Sequence, residues 1–349
     1  MNQMSKRFPL RLNIRNGHVD MTHGSGGRAM TQLIDELFVR HFDNEFLRQG
    51  NDQALFTVCG KRLVMSTDGH VVSPLFFPGG DIGSLSVHGT INDVAMSGAM
   101  PLYLTAGFIL EEGFALAELD KIVASMARAS KDAGVPVITG DTKVVEKGKC
   151  DGVFITTTGI GEVPDGLDIS GVNARPGDAI LVSGFLGDHG VAIMSSRENL
   201  KFETQIVSDS AALHGLVADM VKAVPQISCL RDPTRGGLAT TLNEISQQSK
   251  VGIKLYEDDI PVRGEVAAAC ELLGLDVLYV ANEGKLIAIC PNEYADQLLG
   301  VMRKHQLGGN AAKIGEVVED EMGFVTMETG FGGNRIVDWL AGEQLPRIC

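Results

Sequence analysis

Hydrophobic residues recur with two different periods along the chain, and these periods predict alternating strands and helices. Residues 54–67 alternate between apolar and polar on either side of Gly60-Lys61, which is typical of a β-hairpin. The other elements predicted for this half are a helix at 82–97, a strand at 102–110, an amphipathic helix at 116–133 and strands at 135–139 and 153–161. This order indicates a first α/β unit.

A second α/β unit is predicted after the Pro-Gly punctuation of residues 171–184, where a new apolar strand begins. Its predicted helices lie near 209–223, 237–248, 264–273 and 292–305, and its strands at 227–231, 251–256, around 277–289 and within 311–327. The chain is therefore expected to be an α/β (α+β) protein of two domains. The predicted divisions are an N-terminal segment at 1–48, domains at 49–165 and 174–335, and a tail at 336–349.

The tail lacks any helical or strand period, and Pro346 disfavours helix at its own position and just before it. We therefore expect residues 336–349 to form a mobile arm that ends in Cys349. Fully extended, its 14 residues span at most roughly 45–50 Å, enough to reach another site.

Composition and charge narrow the classes of function. The chain of 349 residues carries 30 Lys and Arg against 44 Asp and Glu, and a net charge of −14 argues against binding to nucleic acid or to an anionic membrane surface. It has no apolar run of about 18 residues and no signal-peptide pattern, so we expect a cytoplasmic protein.

The six cysteines form no C-x-x-C pair, which disfavours a zinc site, and they should be reduced in the cytoplasm. Five of them are expected to be small buried hydrophobes: Cys59, Cys150, Cys229, Cys270 and Cys290.

Acid-bearing loops are the candidate chemistry of the first half. They contain Asp68 in "STDGH", Asp81 in "FFPGGDIGS", Asn92 and Asp93 in "GTINDVAMSGA", and Asp141, Thr142 and Lys143 in "ITGDTKVV". Carboxylates at such positions suit Mg²⁺, which completes its shell with water and phosphate oxygens. A lysine nearby adds positive charge for a phosphate or a developing oxyanion. The alternative is that these side chains cap helices and turns.

The stretch "THGSGGRAM" at 22–30 leads into a predicted helix, so the amides of Gly24, Gly26 and Gly27 are candidates to cradle a phosphate. It matches neither the P-loop nor the dinucleotide-binding fingerprint, and a flexible turn is the alternative.

In the second half, Arg231 and Arg235 are candidates either to contact phosphate or to pair with Asp232, and Glu283 is predicted to lie on a turn between two strands. The histidines His23, His70 and His88 have no metal-binding spacing and are expected to be surface or satisfied residues.

A series of short motifs connects these candidates to a known family. In chain order they are "HGSGG", "STD", "PLFFPGGDIG", "GTINDVAMSGA", "GDTKVV", "SGFLGDHG", "RDPTRGG", "ANEGK" and "PRIC". Together they resemble the HypE family of hydrogenase maturation proteins, within the aminoimidazole-ribonucleotide synthetase (PurM-like) superfamily. The resemblance extends from about His23 onward, and "PRIC" is particular to this branch.

The resemblance implies a PurM-like fold, a homodimer whose N-terminal domains pair their sheets, and ATP bound near the dimer interface. It further implies that HypF carbamoylates Cys349 and that the protein dehydrates the resulting S-carboxamide to a thiocyanate with ATP. The cyanide then passes to iron in the HypC–HypD complex, destined for a nickel–iron hydrogenase.

On this hypothesis the carboxamide oxygen attacks the γ-phosphorus of ATP, because oxygen leaves readily only as phosphate. Lys143 is expected to stabilise the activated oxygen and Glu283 to act as the base, while Cys349 carries the reacting group. The expected ATP-binding residues are Gly24, Gly26, Gly27, Asp68, Asn92, Asp93, Asp141 and Thr142, and the expected Mg²⁺ ligands are Asp68, Asp81 and Asp93.

Two other readings stay open at this point. One is another ATP-using enzyme of the superfamily, such as a thiamine-phosphate kinase or a selenophosphate synthetase, although the latter usually has a reactive residue near the glycine-rich loop that "HVDMTHGSGG" lacks. The other is a non-enzymatic scaffold that presents its C-terminal peptide to a partner's groove.

Overall fold

The computed structural model describes residues 11–25, 27–42, 44–198, 206–320, 322–342 and 347–349. An N-terminal helical stretch comes first, with α1 (Arg28–Leu33) and α2 (Val39–Phe42) joined by a π-helical segment (Ile34–Phe38). The first unit then contains β1 (Ala54–Val58), β2 (Lys61–His70), β3 (Phe76–Phe77), β4 (Gly80–Asp81), α3 (Ile82–Ala95), β5 (Met100–Glu111), α4 (Leu116–Ala133), β6 (Val137–Val145) and β7 (Val153–Glu162).

The first unit is a five-stranded sheet in the order β1-β2-β7-β5-β6, in which only the β5–β6 pair is parallel. Helices α3 and α4 cover one face, where Ile91, Leu104, Ile122 and Ile155 belong to one buried cluster. The opposite face exposes apolar side chains, among them Met65, Tyr103 and Ile109.

The predicted hairpin at 54–67 is confirmed, and its turn corrects one expectation about the cysteines. Val58 pairs with Lys61, so Cys59 and Gly60 form a two-residue turn in which both residues have positive φ. Cys59 is therefore exposed rather than buried, and Cys150 is only half-buried. The other three internal cysteines are buried, as expected.

The second unit is built from the remaining elements. Its strands are β8 (Asp178–Val182), β9 (Cys229–Arg231), β10 (Gly252–Tyr256), β11 (Ile287–Pro291), β12 (Ala312–Val318), β13 (Val325–Glu328) and β14 (Asn334–Ile336). Its helices are α5 (Asp188–Arg197), α6 (His214–Ala223), α7 (Gly237–Ser249), α8 (Gly264–Leu273) and α9 (Asn292–Met302).

These strands form one sheet in the order β14-β13-β10-β12-β8-β11-β9. Helix α7 packs on one face through Leu238, Leu242 and Ile245, whereas α6 and α9 cover the other face. All five residues of the central strand β8 are buried because both faces of the sheet are covered.

The predicted strand pair around 277–289 is wrong in its first member. Val277–Tyr279 is a short 3-10 helix and 280–286 is an irregular loop, so only β11 is a strand. The buried side chain of Asn282 holds this loop in place. It accepts a hydrogen bond from the Gly187 amide and donates to the carbonyls of Pro233 and Val280. Glu283 therefore lies in a buried loop rather than on a hairpin turn.

The expectation that the tail lacks packing is also wrong for its described residues. Val337, Leu340 and Ile348 are buried, and Ile348 pairs with Val72 in an antiparallel bridge. Three apolar residues at 337, 340 and 348 share no helix or strand period, so no pattern in the sequence marks them. Residues 343–346 lie outside the described part of the chain, and mobility of the tail stays a prediction.

Within the described ranges, no helix combines the length and the apolar character needed to cross a bilayer.

Candidate active site

A cavity of about 370 Å³ lies between the two units and collects residues from distant parts of the sequence. Its polar and charged lining consists of Asp52, Thr67, Asp68, Asp93, Arg231, Asp232, Thr234, Arg235, Thr240, Thr241, Glu244, Glu283 and Cys349. The N-terminal helical stretch adds Met30 and Ile34 to the same wall.

Cys349 reaches this cavity because the end of the tail pairs with the segment after β2 through an isolated antiparallel bridge between Ile348 and Val72. The amide of Val71 donates to the Cys349 carbonyl oxygen at 2.8 Å, and the amide of Ser73 donates to the Arg347 carbonyl at 3.1 Å. Burial raises the pKa of the Cys349 thiol, and so do Glu283 and Asp68, whereas Arg235 opposes them. A free thiol in this position is thus protonated and unreactive.

Glu283 is held through its backbone, which leaves its carboxylate facing the cavity. Its amide donates to Asp209 Oδ1 at 3.1 Å, and its carbonyl accepts from Asn92 Nδ2 at 3.1 Å. Oε1 is buried and has no hydrogen-bond partner among the described residues. Burial first, and then the charges of Asp68 and Asp232, raise the pKa of Glu283 well above its ordinary value. A carboxylate with a free lone pair and a raised pKa is suited to accept a proton near neutral pH.

The structure gives Asn92 a different role from the predicted contact with ATP. The side chain is 1% exposed, and all of its hydrogen-bonding groups are used within the chain. Nδ2 donates to the Ala211 and Glu283 carbonyls, and Oδ1 accepts from the Leu213 amide at 2.8 Å. Asn92 therefore fastens helix α3 of the first unit to the loop that carries Glu283.

Asp68 and Asp93 do lie together, as predicted, and Asp232 joins them from the second unit. A Cβ atom added at Gly89 would lie 3.4 Å from Asp68 Oδ2 and 3.9 Å from Glu283 Oε2, so this glycine keeps the space between the two carboxylates open.

This carboxylate group suits a divalent cation. Burial and the charges of Asp232 and Asp68 raise the pKa of Asp93 well above its ordinary value, and burial with Asp52 raises that of Asp232 to about 8. Asp232 Oδ2 is buried without a hydrogen-bond partner among the described residues. Over the same part of the chain, no three His, Cys, Asp or Glu side chains form a complete metal site. Mg²⁺ characteristically needs only one or two carboxylates, with water and phosphate as its other ligands.

Asp81, a predicted Mg²⁺ ligand, is not brought to this group. It is the N-cap of α3, and its Oδ1 accepts from the amides of Gly83 and Ser84. Asp93 lies twelve residues further along the same helix, about 18 Å away at 1.5 Å per residue. Asp81 and Asp93 cannot ligate the same ion, and Asp81 instead fixes the start of the helix.

Arg231 is reassigned as well, because it does not pair with Asp232. Its guanidinium lies 2.6 Å from Asp52 and 3.5 Å from Glu244. The Arg231 side chain is buried, and the two carboxylates are partly buried. Asp52 and Glu244 had no recognisable signal in the sequence. Arg235 is the cation that acts on the reacting group, since its strongest charge interaction is with Cys349.

Lys143, Asp141 and Thr142 lie on β6, the edge strand of the first sheet, and do not line the Cys349 cavity within one chain. Lys143 Nζ contacts Asp141 Oδ2 at 2.6 Å, and both side chains are 70% exposed. Asp141 and Thr142 instead line an open depression beside α4.

The predicted phosphate-binding glycines divide into three cases. Gly24 lines a second cavity that adjoins the first, sharing Arg235 and Cys349 with it. Gly27 is the N-cap of α1, and a side chain there would collide with the Leu340 carbonyl, so its role is packing. Gly26 lies outside the described residues.

The three histidines are satisfied, as expected. His70 Nε2 bonds Thr157, His88 Nδ1 bonds Ser210 and His23 Nδ1 bonds Asp20.

Comparison with known proteins agrees with this geometry. Residues 50–163 match the family "AIR synthase related protein, N-terminal domain", and residues 175–328 match its C-terminal domain. The chain is 70% identical over 339 residues to the "Carbamoyl dehydratase HypE" of Cupriavidus necator, covering 97% of both chains. It is 45% identical over 337 residues to the HypE of Escherichia coli, covering 95% of this chain and 99% of that one.

Solved structures show the same relationship. A HypE in complex with ATP superposes with a TM-score of 0.81 at 53% identity, covering 95% of this chain and all of the other. The HypE of a HypE–HypF complex gives 0.84 at 51% identity, covering 88% and 99%. A thiamine monophosphate kinase with a bound nucleotide analogue and substrate gives 0.68 at 21% identity over 85% and 92%, which shows the fold alone. The chain therefore belongs to the HypE family of carbamoyl dehydratases, within the AIR synthase related proteins.

Proposed function

We propose that this protein uses ATP to dehydrate an S-carboxamide on its own Cys349 to a thiocyanate. The observation that carries the proposal is the meeting of Cys349 with Glu283 and the Asp68–Asp93–Asp232 carboxylates in one cavity. A relative at 53% identity binds ATP, and relatives at up to 70% identity are named carbamoyl dehydratases.

The chemistry assigns a role to each side of the cavity. The carboxamide oxygen attacks the γ-phosphorus of ATP and later departs as phosphate, with ADP as the other product. The nitrogen gives up two protons as the C≡N bond forms, and Glu283 is placed to accept one of them. Arg235 adds positive charge beside the sulfur.

Mg²⁺ would supply charge neutralisation for the phosphates when bound. One or two carboxylates of the group Asp68, Asp93 and Asp232 would hold it, because a cation relieves their mutual repulsion in a buried place. Asp81 is not part of this site.

The homodimer implied by the family completes the site in this proposal. The uncovered face of the first sheet exposes large apolar side chains, with Tyr103 48% and Ile109 42% exposed, and a large exposed apolar face marks an interface. Lys143 lies on the adjoining edge strand, outside its own chain's Cys349 cavity. We therefore assign Lys143 to the cavity of the partner subunit, where it stabilises the activated oxygen.

HypF is the proposed carbamoyl donor, because a relative at 51% identity forms a complex with HypF. The HypC–HypD complex is the proposed acceptor of cyanide, as the family resemblance implies. The reaction belongs in the cytoplasm, where the thiol of Cys349 stays reduced.

The direct test follows the mass of the intact protein. After incubation with the carbamoyl donor system the mass should rise by one carboxamide, and after addition of ATP it should fall by one water. Cys349→Ala should fold and bind ATP but acquire no carboxamide. A carbamoyl adduct on that variant would exclude the proposal.

A further inference from the structure

The end of the tail is held inward by contacts of Arg347 and Ile348 in addition to the contact of the Cys349 thiol with Glu283. Ile348 is 3% exposed and packs into the same apolar cluster as Val72, Phe77 and Ile193. Arg347 contributes its carbonyl to the Arg197 guanidinium and its side chain to Asp151. These contacts leave the Cys349 side chain directed at the cavity that contains Glu283.

One contact comes from a fully buried histidine that no step of the proposed chemistry uses. His189, near the start of α5, places Nε2 2.8 Å from the Ile348 carbonyl oxygen and Nδ1 2.8 Å from Ser208 Oγ. The edge of the imidazole also meets the ring of Phe77, with centroids 5.6 Å apart and planes at 88°.

The hydrogen-bond partners fix the tautomer of His189. A carbonyl oxygen only accepts, so Nε2 must carry the proton. Nδ1 then accepts from the Ser208 hydroxyl, whose oxygen in turn accepts from the Ser210 amide. Burial lowers the pKa of His189, which agrees with a neutral ring in this arrangement.

We propose that His189 is a positioning residue that holds the tail in its inward state through the Ile348 carbonyl, and so sets how often the Cys349 sulfur is available to outside partners. The bond goes to the peptide next to the reacting residue, so it is unchanged whether the sulfur carries hydrogen, carboxamide or cyanide. This inference rests on the proposed function, which requires the same sulfur to be inside for dehydration and outside for carbamoylation and cyanide delivery.

Two substitutions of His189 each keep one of its two hydrogen bonds and remove the other. In His189→Asn the side-chain amide occupies the place of Nδ1, so the contact with Ser208 is kept and the contact with Ile348 is lost. In His189→Gln the amide nitrogen reaches the place of Nε2 and keeps the contact with Ile348. Both replace the imidazole with a neutral amide of similar size, so each variant is the control for the other.

The measurement is the rate at which iodoacetamide alkylates Cys349 in the full-length protein, read by mass spectrometry of the C-terminal peptide. His189→Asn should raise this rate about 2- to 10-fold, the change that loss of one neutral hydrogen bond makes in an equilibrium. His189→Gln should react like the parent. Equal rates in the parent and His189→Asn, or equal acceleration in both variants, would overturn the inference.

A second measurement leaves His189 unchanged and so does not depend on either variant folding. In the parent the Nε2 proton of His189 should exchange slowly with solvent by NMR, and in a chain that ends at Pro346 it should exchange rapidly. Slow exchange in the shortened chain would overturn the assignment. Neither assay uses ATP or a carbamoyl donor, so failure here is distinguishable from failure of the dehydratase proposal.

Discussion

Asn92 offers a sharp test, because its sequence motif predicts contact with ATP and its contacts indicate positioning of Glu283. Asn92→Ala removes three hydrogen bonds, to the Ala211 and Glu283 carbonyls and from the Leu213 amide. At about 0.5–1.5 kcal/mol each, their loss lowers the free energy of unfolding by about 1.5–4.5 kcal/mol. For a domain of this size we expect the melting temperature to fall by roughly 5–15 °C.

The same change should release the Glu283 loop from helix α3 on one side. A displacement of about 1 Å at a reacting group costs on the order of 100-fold in rate, and we expect a loss of that order in the dehydration step. The dissociation constant for ATP should be unchanged, since no polar atom of Asn92 is free to contact a nucleotide. Single-turnover dehydration of the carbamoylated protein at saturating ATP separates the rate from the affinity.

Ser246→Ala is the matched control. Ser246 is equally buried, and its one hydroxyl proton is shared between the Val251 and Gly323 carbonyls, at a site that does not line the Cys349 cavity. The substitution should lower the free energy of unfolding by about 0.5–1.5 kcal/mol and leave the dehydration rate unchanged. If Asn92→Ala weakens ATP binding and keeps the parental rate at saturation, Asn92 is a nucleotide ligand and the positioning argument is refuted.

Three further outcomes follow from the site. The dehydration rate should fall as the pH drops through the raised pKa of Glu283, well above the ordinary glutamate value; a rate that stays constant down to the ordinary glutamate range would remove Glu283 as the base. Arg231→Met should lower the free energy of unfolding in urea by about 2–4 kcal/mol, because it leaves the partly buried carboxylates of Asp52 and Glu244 unpaired, and a loss below about 1 kcal/mol would contradict this. Lys143→Ala and Glu283→Gln should each be inactive, yet mixed dimers of the two should recover activity if Lys143 acts in the partner's cavity; no recovery in verified heterodimers would place Lys143 elsewhere.

The sequence alone was enough for the fold class and the family. The apolar periods predict helices at 116–133 and 264–273, with the bounds that the structure has. They can do so because a helix or strand buries one face through residues a few positions apart. Asp68, Asp93, Glu283 and Cys349 were identified from motifs, since an unusual residue at a fixed place in a loop is visible without knowing its neighbours.

The tertiary structure decided which of these residues act together. Asp81 and Asn92 resemble Asp68 and Asp93 in their sequence context, yet Asp81 caps the start of α3 and Asn92 binds the loop that carries Glu283. Asp232, more than 100 residues from Asp93, joins the carboxylates only because the two units pack together.

The tail shows most clearly what a local sequence pattern cannot predict. Its few apolar residues carry no period, because they pack at separate places: Val337 in the cluster of the second sheet and Ile348 in the cluster that contains Val72. A local pattern records only contacts between near neighbours in the chain. What brings Cys349 to Glu283 is a set of contacts between residues far apart in sequence, and only the folded chain contains them.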